Sequence, residues 1–398
     1  MNICFIATRF FTGGFTSSMC SMIRVLAAKG LQVDVLLLEP EQNEFTPDLP
    51  ASVRILRPQR RKIHYFASLF SREKRKLLLT GIRHFYFDAR HASGDSKTRL
   101  AVSGAQFLML FRTICGYEQK DLTAYDCVIS WEENEPNMFL AEKALARYKI
   151  GFIHPDYEIS CFDPNCDRLV LEKLDRINAI SVANEQILKK VFPEFSDRIS
   201  YIPNVINAEL IREKSNEAIE TFPKSRFDIL TVCRLDNRHK AVDRAVRVAK
   251  RLNDDGLEFC WYVAGEGESR ADILQLCSDL KVSNFILLGN QKNPYPLMKN
   301  ADLFVLQSNY EGKPIAVDEA IIVGTPVVIT DFASAHEQIT NGVEGYIVPM
   351  EEEAIYRQIR DLIVHPDRLA ALKSNLKAMS IEKYQDTNKF TEMMKHQG

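Results

Sequence analysis

The sequence predicts a doubly wound α/β protein built from two Rossmann-like domains. Short apolar runs of strand length alternate with amphipathic segments of helix length along the chain, as expected for parallel sheets with helical crossovers. At 398 residues the chain is longer than one hydrophobic core usually serves. One series of strands ends at Pro203-Asn204 and a polar helical piece at 207–220 precedes Pro223, so we expect the domains to join near 203–225.

The predicted domains divide the strands between them. The first domain, residues 1–205, is expected to hold strands at 2–7, 33–38, 53–56, 126–130, 149–153, 177–182 and 199–202. The second domain, residues 206–379, is expected to hold strands at 228–233, 259–264, 285–289, 302–306, 326–330 and 346–348. A last helix near 386–396 follows the second series, and we expect residues 380–398 to pack on the first domain.

Composition and charge narrow the class of protein. The formal net charge of −2 argues against nucleic acid as the main partner. No apolar stretch reaches the ~20 residues of a membrane-spanning helix, and the apolar run at 3–7 is too short for a signal peptide. The nine cysteines are scattered, which favours a reducing, cytoplasmic location, and their spacing does not predict a zinc site. We expect no bound metal and no cofactor.

Residues 57–112 form a basic segment inside the first domain. They contain 13 Lys and Arg against 3 Asp and Glu, a net charge of +10, whereas the remainder of the chain is at −12. The aromatic residues interleaved with these charges are Tyr65, Phe66, Phe70, Phe85, Tyr86, Phe87, Phe107 and Phe111. Two interpretations fit this composition. Such helices can lie on an anionic membrane surface, or they can be ordinary amphipathic helices whose aromatic residues face the core.

The most informative segment lies between two predicted strands of the second domain, at 302–306 and 326–330. Pro314 fits the first position of a helix and Gly324 fits its end, so this helix is the crossover of a βαβ unit. Its N-terminus is therefore expected at the carboxyl edge of a parallel sheet, where open α/β sheets bind ligands.

Two carboxylates eight positions apart bracket the start of this helix. Glu311 lies on the preceding loop, and Glu319 lies about two turns into the helix. The amides of Gly312–Ile315 are placed to bind a phosphate, while the carboxylates accept hydrogen bonds from sugar hydroxyls. A nucleotide sugar carries both kinds of group. An amphipathic helix with a solvated Glu319 would give the same spacing.

Two cations follow the first strand of the second domain. Arg234 and Lys240 could converge on a diphosphate and neutralise the charge that grows as a nucleotide leaves. The sequence has no Asp-x-Asp triplet to hold a divalent metal, so fixed cations would do that work. Ordinary surface cations are the alternative.

The first domain offers candidates at the ends of three strands. Gly13-Gly14 can bring backbone close to a ligand at a helix N-terminus, although any tight turn between strand and helix gives the same pair. His154 follows another strand, where it could touch the reacting sugar or be a structural histidine. Trp131, Glu132 and Glu133 follow the preceding strand, and an aromatic ring with carboxylates suits an acceptor sugar.

Together these features resemble a retaining nucleotide-sugar glycosyltransferase of glycosyltransferase family four. That group has the GT-B fold, two Rossmann-like domains facing across a cleft. The resemblance is strongest from Ile202 to Met350, and it rests on Ile202-Pro203-Asn204, Arg234-Leu235, Lys240, Gly265-Glu266-Gly267, Asn293-Pro294-Tyr295, Glu311-Gly312 and Glu319-Ala320. The first half of the chain matches only through Gly13-Gly14, Lys29-Gly30 and His154.

The resemblance implies roles for these residues. Arg234 and Lys240 would hold the donor diphosphate, with Glu311 at the donor sugar, Glu319 near the ribose and Asn290 near the base. The whole implied donor site comprises Gly14, Arg234, Lys240, Asn290, Glu311, Gly312, Lys313, Pro314, Ile315 and Glu319. The implied catalytic residues are His154, Glu311, Arg234 and Lys240, and the expected acceptor residues are Trp131, Glu132 and Glu133.

Four positions depart from the family's pattern. Cys233, Ala241 and Val205 stand where glycine is common, which is tolerable if their φ angles stay negative. Lys313 stands where an uncharged residue is frequent. The Lys313 side chain would recognise an acidic or polar donor, or it would face solvent.

The resemblance implies a metal-independent, retaining transfer of a sugar from a nucleotide diphosphate, with UDP favoured over GDP, to a glycan or lipid-linked acceptor in cell-surface polysaccharide assembly. No residue stands out as a covalent nucleophile, so front-face attack assisted by the leaving phosphate is implied. The expected location is the cytoplasm, with residues 57–112 at the inner face of the plasma membrane. A sugar-nucleotide epimerase, a phosphorylase and a noncatalytic nucleotide-sugar-binding protein remain alternatives.

Overall fold

The computed structural model describes residues 1–11, 13–43, 47, 49–61, 71–218, 227–384 and 386–395. The chain forms two compact units. The first unit consists of Met1–Val205 and Asp386–Gly398, and the second consists of Ile206–Gln385. Each unit has its own parallel sheet and its own hydrophobic core.

The first unit contains a parallel sheet of seven strands within the described ranges. The strands of this unit, in chain order, are β1 (Asn2–Ala7), β2 (Gln32–Leu37), β3 (Arg54–Leu56), β4 (Lys120–Asp121), β5 (Cys127–Ser130), β6 (Ala144–Leu145), β7 (Lys149–Ile153), β8 (Arg176–Ala179) and β9 (Ile199–Tyr201). The large sheet has the order β3-β2-β1-β5-β7-β8-β9, and β4 pairs with β6 in a small separate sheet. The central strands of the large sheet are apolar on both faces because helices cover both sides of this sheet.

Helices connect the strands of the first unit. They are α1 (Gly14–Ala28), α2 (Arg72–Ile82), a π-helical turn (Arg83–Asp88), α3 (Ala89–His91), α4 (Gly94–Gly116), α5 (Glu135–Glu142), α6 (Pro164–Leu171) and α7 (Val182–Val191). Short 3₁₀ turns occur at Pro40–Gln42 and Pro193–Phe195. Asp163 caps α6 and Ser181 caps α7 by accepting amide hydrogen bonds, which fixes where these helices begin.

The second unit repeats the same architecture. Its strands are β10 (Asp228–Val232), β11 (Cys260–Ala264), β12 (Phe285–Gly289), β13 (Leu303–Leu306), β14 (Val327–Thr330) and β15 (Gly345–Val348), in the spatial order β12-β11-β10-β13-β14-β15. Its helices are α8 (Ala208–Lys214), α9 (Asn237–Lys240), α10 (Val242–Asp254), α11 (Arg270–Asp279), α12 (Tyr295–Asn300), α13 (Ile315–Ile322), α14 (Ala335–Gln338), α15 (Glu352–Val364) and α16 (Pro366–Ala378). A 3₁₀ turn lies at Glu382–Tyr384.

A final helix, α17 (Asn388–Lys395), belongs to the first unit. Phe390 is fully buried in the cluster that includes Ile3 and Phe5 of β1. Lys29 donates a hydrogen bond to Thr387, which fixes the start of this segment against the end of α1. The first unit therefore includes residues that follow the second unit in sequence.

The basic segment divides into buried and exposed aromatic residues. Phe107 and Phe111 on α4 are only 7% and 6% exposed, so they belong to the core. Tyr86 and Phe87 of the π-helical turn are 50% and 61% exposed, as is Leu79 of α2 at 63%. Three further aromatics of this segment, Tyr65, Phe66 and Phe70, lie outside the described residues.

The structure also describes the helices as candidates for membrane spans and the state of the cysteines. Among the described residues no helix is both long and apolar enough to cross a membrane. All nine cysteines are free thiols, and burial raises the pKa of the Cys20 thiol to about 12. The buried cysteines therefore behave as small apolar side chains.

Candidate active site

The loop after β10 carries the first cation of the candidate site. Asp236 accepts hydrogen bonds from the amides of Arg238 and His239, so it caps the short helix α9. Arg234 donates from Nη2 to Asp236 Oδ2 at 3.2 Å, and its side chain is 64% exposed. The cap therefore holds the guanidinium near the start of α9 while leaving most of it open to a ligand.

The second predicted cation is paired with the first predicted carboxylate. Lys240 Nζ donates to Glu311 Oε1 at 2.5 Å, and their side chains are 20% and 10% exposed. The Ser308 hydroxyl donates to the same oxygen at 2.6 Å. Residues 71 positions apart are thus brought together at the carboxyl ends of β10 and β13.

Hydrogen bonds join the two loops that carry this ion pair. Gln307 Nε2 donates to the Lys240 carbonyl at 3.0 Å, and the Asn309 amide donates to the His239 carbonyl at 2.8 Å. Arg244 on α10 donates to Asn309 Oδ1 at 2.6 Å. We name residues 234–240 together with residues 307–311 the cation ledge, because these hydrogen bonds hold the two backbone segments together.

The electrostatics of the cation ledge are visible at the Cys233 thiol. Burial raises the pKa of this thiol to about 12. Lys240 opposes that rise, Glu311 adds to it, and Arg234 opposes it. All three charged side chains therefore act on one point just beyond the end of β10.

The backbone at Ala241 differs from the expectation of a negative φ. Ala241 has φ 46° and ψ 46°, the left-handed conformation, whereas Cys233 and Val205 do not have positive φ. An alanine held there costs about 1–2 kcal/mol relative to the right-handed conformation. This residue lies between α9 and α10, and the expectation of a negative φ was wrong for it.

Two glycines allow the ledge to contact the loop after β11. A Cβ on Gly265 would lie 1.9 Å from the Cys233 carbonyl oxygen, and one on Gly267 would lie 2.3 Å from the Leu235 carbonyl oxygen. Leu235 in turn exchanges backbone hydrogen bonds with Glu266 and Ser269. These glycines are required for loop packing, whatever ligand the site binds.

Helix α13 begins one residue later than the sequence predicts. Pro314 is its N-cap with φ −71° and ψ 111°, and Ile315 is the first helical residue. The helix ends at Ile322, and Gly324 follows with φ 91°. In the described part of the chain, the amides of Gly312 and Lys313 have no hydrogen-bond acceptor.

Glu319 is buried instead of solvated. The residue is 7% exposed, and burial raises the pKa of its carboxyl to about 7. The Tyr295 hydroxyl donates to Glu319 Oε1 at 3.1 Å and lowers the pKa in part, while the neighbouring Asp318 raises it. A carboxyl in this state can either accept or donate a hydrogen bond at neutral pH.

The remaining donor candidates of the second unit are at the surface. Asn290 is exposed and follows Gly289, whose φ is 72°. Lys313 is half-buried, and no carboxylate in the described ranges forms an ion pair with it. Both side chains are therefore available to a ligand.

In the first unit, Glu132 lies at the end of β5 beside the end of β1. It accepts hydrogen bonds from the Thr8 amide at 3.2 Å and from the Thr8 hydroxyl at 2.9 Å. Burial raises the pKa of Glu132 to about 7, although the bonds from Thr8 lower it in part. This carboxyl can exchange a proton near neutral pH.

His154 lies at the end of β7 and is 6% exposed. Its ring packs against Phe15, with 4.5 Å between ring centroids. Neither ring nitrogen has a hydrogen-bond partner among the described residues, and Glu133 Oε2 lies 3.7 Å from Nδ1. A buried imidazole with unmet hydrogen bonds is unfavourable without a ligand, so His154 remains a candidate for contact with the substrate.

The expectation that Trp131 binds an acceptor is corrected by its burial. The residue is 1% exposed, and its ring packs between Phe5 and Phe152. Its Nε1 donates to the Phe15 carbonyl at 3.1 Å, so no polar edge is free either. Trp131 instead supports the turn at the start of α1, where Gly14 is exposed.

The described residues contain no group of three or more His, Cys, Asp or Glu that could hold a metal ion. In the second unit the structure pairs the Lys240 ammonium with the Glu311 carboxylate, and the Arg234 guanidinium lies on the loop that precedes α9, the helix that ends at Lys240. Ser308 and Arg244 complete the hydrogen bonding in the second unit, and Thr8 does so at Glu132 in the first unit. The sequence offers no signal for these three residues.

The second half of the chain is similar in sequence to known glycosyltransferases. The family described as Glycosyl transferases group 1 matches residues 212–379, which include the cation ledge and α13. An uncharacterized glycosyltransferase of Methanocaldococcus jannaschii is 29% identical over 161 residues, covering 39% of each chain. A Campylobacter jejuni enzyme is 28% identical over 209 residues, covering 52% of this chain and 55% of its own length. The Campylobacter jejuni enzyme is named N-acetylgalactosamine-N,N'-diacetylbacillosaminyl-diphospho-undecaprenol 4-alpha-N-acetylgalactosaminyltransferase.

Solved structures establish the fold over the whole chain. The chain resembles WaaG, a glycosyltransferase involved in lipopolysaccharide biosynthesis, with a TM-score of 0.62 and 15% identity, covering 99% of this chain and 100% of WaaG. It also resembles Anabaena HepE in complex with UDP and glucose, with a TM-score of 0.66 and 15% identity over 99% of each chain. The fold is thus the two-domain GT-B architecture. The curated relatives named above match over about half of their length or less.

Proposed function

We propose that this protein is a glycosyltransferase that moves a sugar from a nucleotide-diphosphate sugar to a glycan or lipid-linked acceptor. The observation that carries the proposal is the cation ledge next to α13. It places Lys240, Glu311 and two amides without acceptors at the carboxyl edge of one parallel sheet. The match of this segment to a family of glycosyl transferases supports the assignment.

The donor's diphosphate would bind to Arg234, Lys240 and the amides of Gly312 and Lys313. An exposed guanidinium and a helix N-terminus both favour phosphate oxygens. Asn290 would lie near the base, and Glu319 would accept a hydrogen bond from the ribose. We favour UDP over GDP as the nucleotide, in agreement with the UDP complex of the structural neighbour HepE.

The transfer would proceed without a metal and with retained configuration. As the nucleotide leaves, negative charge grows on its phosphate, and preorganised cations that face it lower the barrier. Lys240 and Arg234 would supply that stabilisation. Glu311 would hold the sugar's hydroxyls, and the leaving phosphate would accept the proton of the attacking hydroxyl on the same face of the sugar.

The acceptor would bind to the first unit. His154 offers two buried nitrogens with unmet hydrogen bonds, and Glu132 and Glu133 offer carboxylates beside it. Two relatives, from Campylobacter jejuni and Escherichia coli, are named as transferases that act on sugars linked to diphospho-undecaprenol. A lipid-linked acceptor of cell-surface polysaccharide assembly is therefore our proposal for this chain.

A donor screen tests the proposed function. The purified protein is incubated with UDP-sugars and GDP-sugars, and nucleotide release and ligand-induced stabilisation are both measured. A ligand at ~100 times its dissociation constant adds about 2.7 kcal/mol to the free energy of unfolding, which a thermal shift detects. If no nucleotide sugar stabilises the protein or is turned over, the proposal is wrong.

We further propose a cytoplasmic location with residues 57–112 at the inner face of the membrane. Leu79, Tyr86 and Phe87 are exposed on this segment, and Arg75 and Lys76 on α2 are exposed beside them. Each engaged Lys or Arg contributes about 1 kcal/mol of attraction to an anionic surface. The surface combines apolar side chains with positive charge, as interfacial segments do.

Vesicle binding checks this proposal. In cosedimentation at low salt, R75E/K76E is expected to bind phosphatidylglycerol vesicles at least ~30-fold more weakly than wild type, because about 2 kcal/mol of attraction is lost. The control K292E/K377E changes the net charge equally at exposed lysines of the second unit and is expected to bind like wild type. Equal loss in both variants would show a net-charge effect only.

A further inference from the structure

A polar cavity lies in the first unit, between the loops that follow β2 and β3. Its volume is 290 Å³, close to the lower end of the ~300–1,000 Å³ typical of small-molecule pockets. It is lined by Leu38, Glu39, Pro40, Glu41, Gln42, Arg57, Pro58 and Arg60. A cavity of this size suits one small ring better than an extended chain.

The cavity is at the carboxyl edge of the sheet, where ligands of open α/β sheets bind. The amide of Leu38 donates to the Ala7 carbonyl at 3.0 Å, and the amide of Glu39 donates to the Thr8 carbonyl at 2.7 Å. These hydrogen bonds attach the loop after β2 to the end of β1. The cavity wall is therefore fixed by backbone hydrogen bonding.

The charges in the cavity are balanced. Arg57 Nη1 lies 2.9 Å from Glu41 Oε1, and Arg60 Nη2 lies 3.3 Å from Glu39 Oε1. A phosphate would meet two carboxylates as well as two guanidinium groups, and part of the Arg60 guanidinium is already used by the Tyr117 hydroxyl at 3.4 Å. A neutral ligand with many hydroxyls can donate to the carboxylates and accept from the guanidinium groups.

The cavity is also connected to the proposed acceptor residues. Arg9 Nη1 donates to Gln42 Oε1 at 2.8 Å, and the preceding residue, Thr8, donates to Glu132. A continuous line of polar side chains thus follows the carboxyl ends of β1, β2 and β5. A bound sugar chain could extend along that line from Glu132 to Gln42.

We propose that this cavity is an acceptor subsite that binds an uncharged sugar ring at a distance from the reacting hydroxyl. The assignment rests on the proposed glycosyltransferase function and deepens it by naming a neutral glycan as the acceptor's recognised part. The proline rings Pro40 and Pro58 offer apolar faces to the ring's C–H groups. Glu39, Glu41, Arg57 and Arg60 supply its hydrogen bonds.

The test measures sugar binding without donor or turnover. Wild-type protein is titrated with methyl glycosides of glucose, galactose, N-acetylglucosamine and N-acetylgalactosamine, and binding is followed by saturation-transfer NMR. The variant E41Q/R57Q removes an exposed ion pair of the cavity. The matched control E142Q/K173Q removes an ion pair at the amino edge of the same sheet.

We expect millimolar binding of at least one glycoside, a loss of tenfold or more in E41Q/R57Q, and no change in the control. The subsite is overturned if wild type binds none of the glycosides, or if E41Q/R57Q binds them like the control. It is also overturned if inorganic phosphate binds wild type and this binding is lost in E41Q/R57Q. Because nucleotide release is measured separately, a protein that turns over donor but binds no glycoside loses the subsite alone.

Discussion

Replacing Lys240 with alanine is expected to lower turnover of the active nucleotide sugar by about 10²- to 10³-fold, the loss seen when one preorganised charge-stabilising donor is removed. Lys240 is only 20% exposed, and its partner Glu311 is 10% exposed. Its ammonium is held in place before any ligand arrives, by Glu311 and by the bond from Gln307 to its carbonyl. Little reorganisation is then needed as charge grows on the leaving phosphate.

The ion pair also predicts how two substitutions combine. Among the described residues, Lys240→Ala leaves the Glu311 carboxylate with the Ser308 hydroxyl as its hydrogen-bond partner, so part of the loss comes from an unpaired, poorly solvated charge. In the variant K240A/E311Q that charge is absent, and we expect the combined loss to be smaller than the product of the single losses. Nucleotide release and circular dichroism are measured for all three variants.

A lysine on the next helix is the control. Lys250 on α10 pairs with Asp254 at the surface, and Lys250→Ala is expected to keep the turnover of wild type. If Lys240→Ala is folded and turns over donor like Lys250→Ala, the proposed phosphate contact is wrong. If it loses donor affinity without losing turnover, Lys240 binds the ground state and contributes nothing extra to the transition state.

Most of the fold could be predicted because buried parallel strands have a strong pattern. All thirteen strands expected from apolar runs are present, with bounds that differ by at most three residues. The two-residue strands β4 and β6 were missed because they are too short to show a period. The start of α13 was misplaced by one residue, since Pro314 satisfies the N-cap as well as the first helical position.

The candidate site could be predicted less completely, because its residues come together only through the fold. Charge and spacing marked Glu311 and Lys240, but nothing local indicates that Ser308 and Arg244 support them. Trp131 shows the opposite error. From the sequence, an aromatic residue after a strand is equally consistent with sugar binding and with a place in the core. The packing of Phe5 and Phe152 against Trp131 shows that it belongs to the core.

Replacing Phe390 with alanine is expected to lower the free energy of unfolding of the first unit by about 3–5 kcal/mol, the usual loss for a large buried aromatic residue. Phe390 is fully buried beside β1 although it lies at the end of the chain. The first unit therefore closes only after the second unit's sequence has been made. Phe87→Ala, at an exposed position of the same unit, is the matched control and is expected to stay within ~0.5 kcal/mol of wild type.

A single melting temperature is a poor measure for a chain of two units, because their unfolding need not be one transition. Native-state hydrogen exchange reads each unit separately. In Phe390→Ala, the amides of β1 and β2 are expected to exchange faster, while those of β10 and β13 keep the rates of wild type. Unchanged protection in β1 would mean that α17 packs on the unit without stabilising it, and equal acceleration in β13 would mean that the two units unfold together.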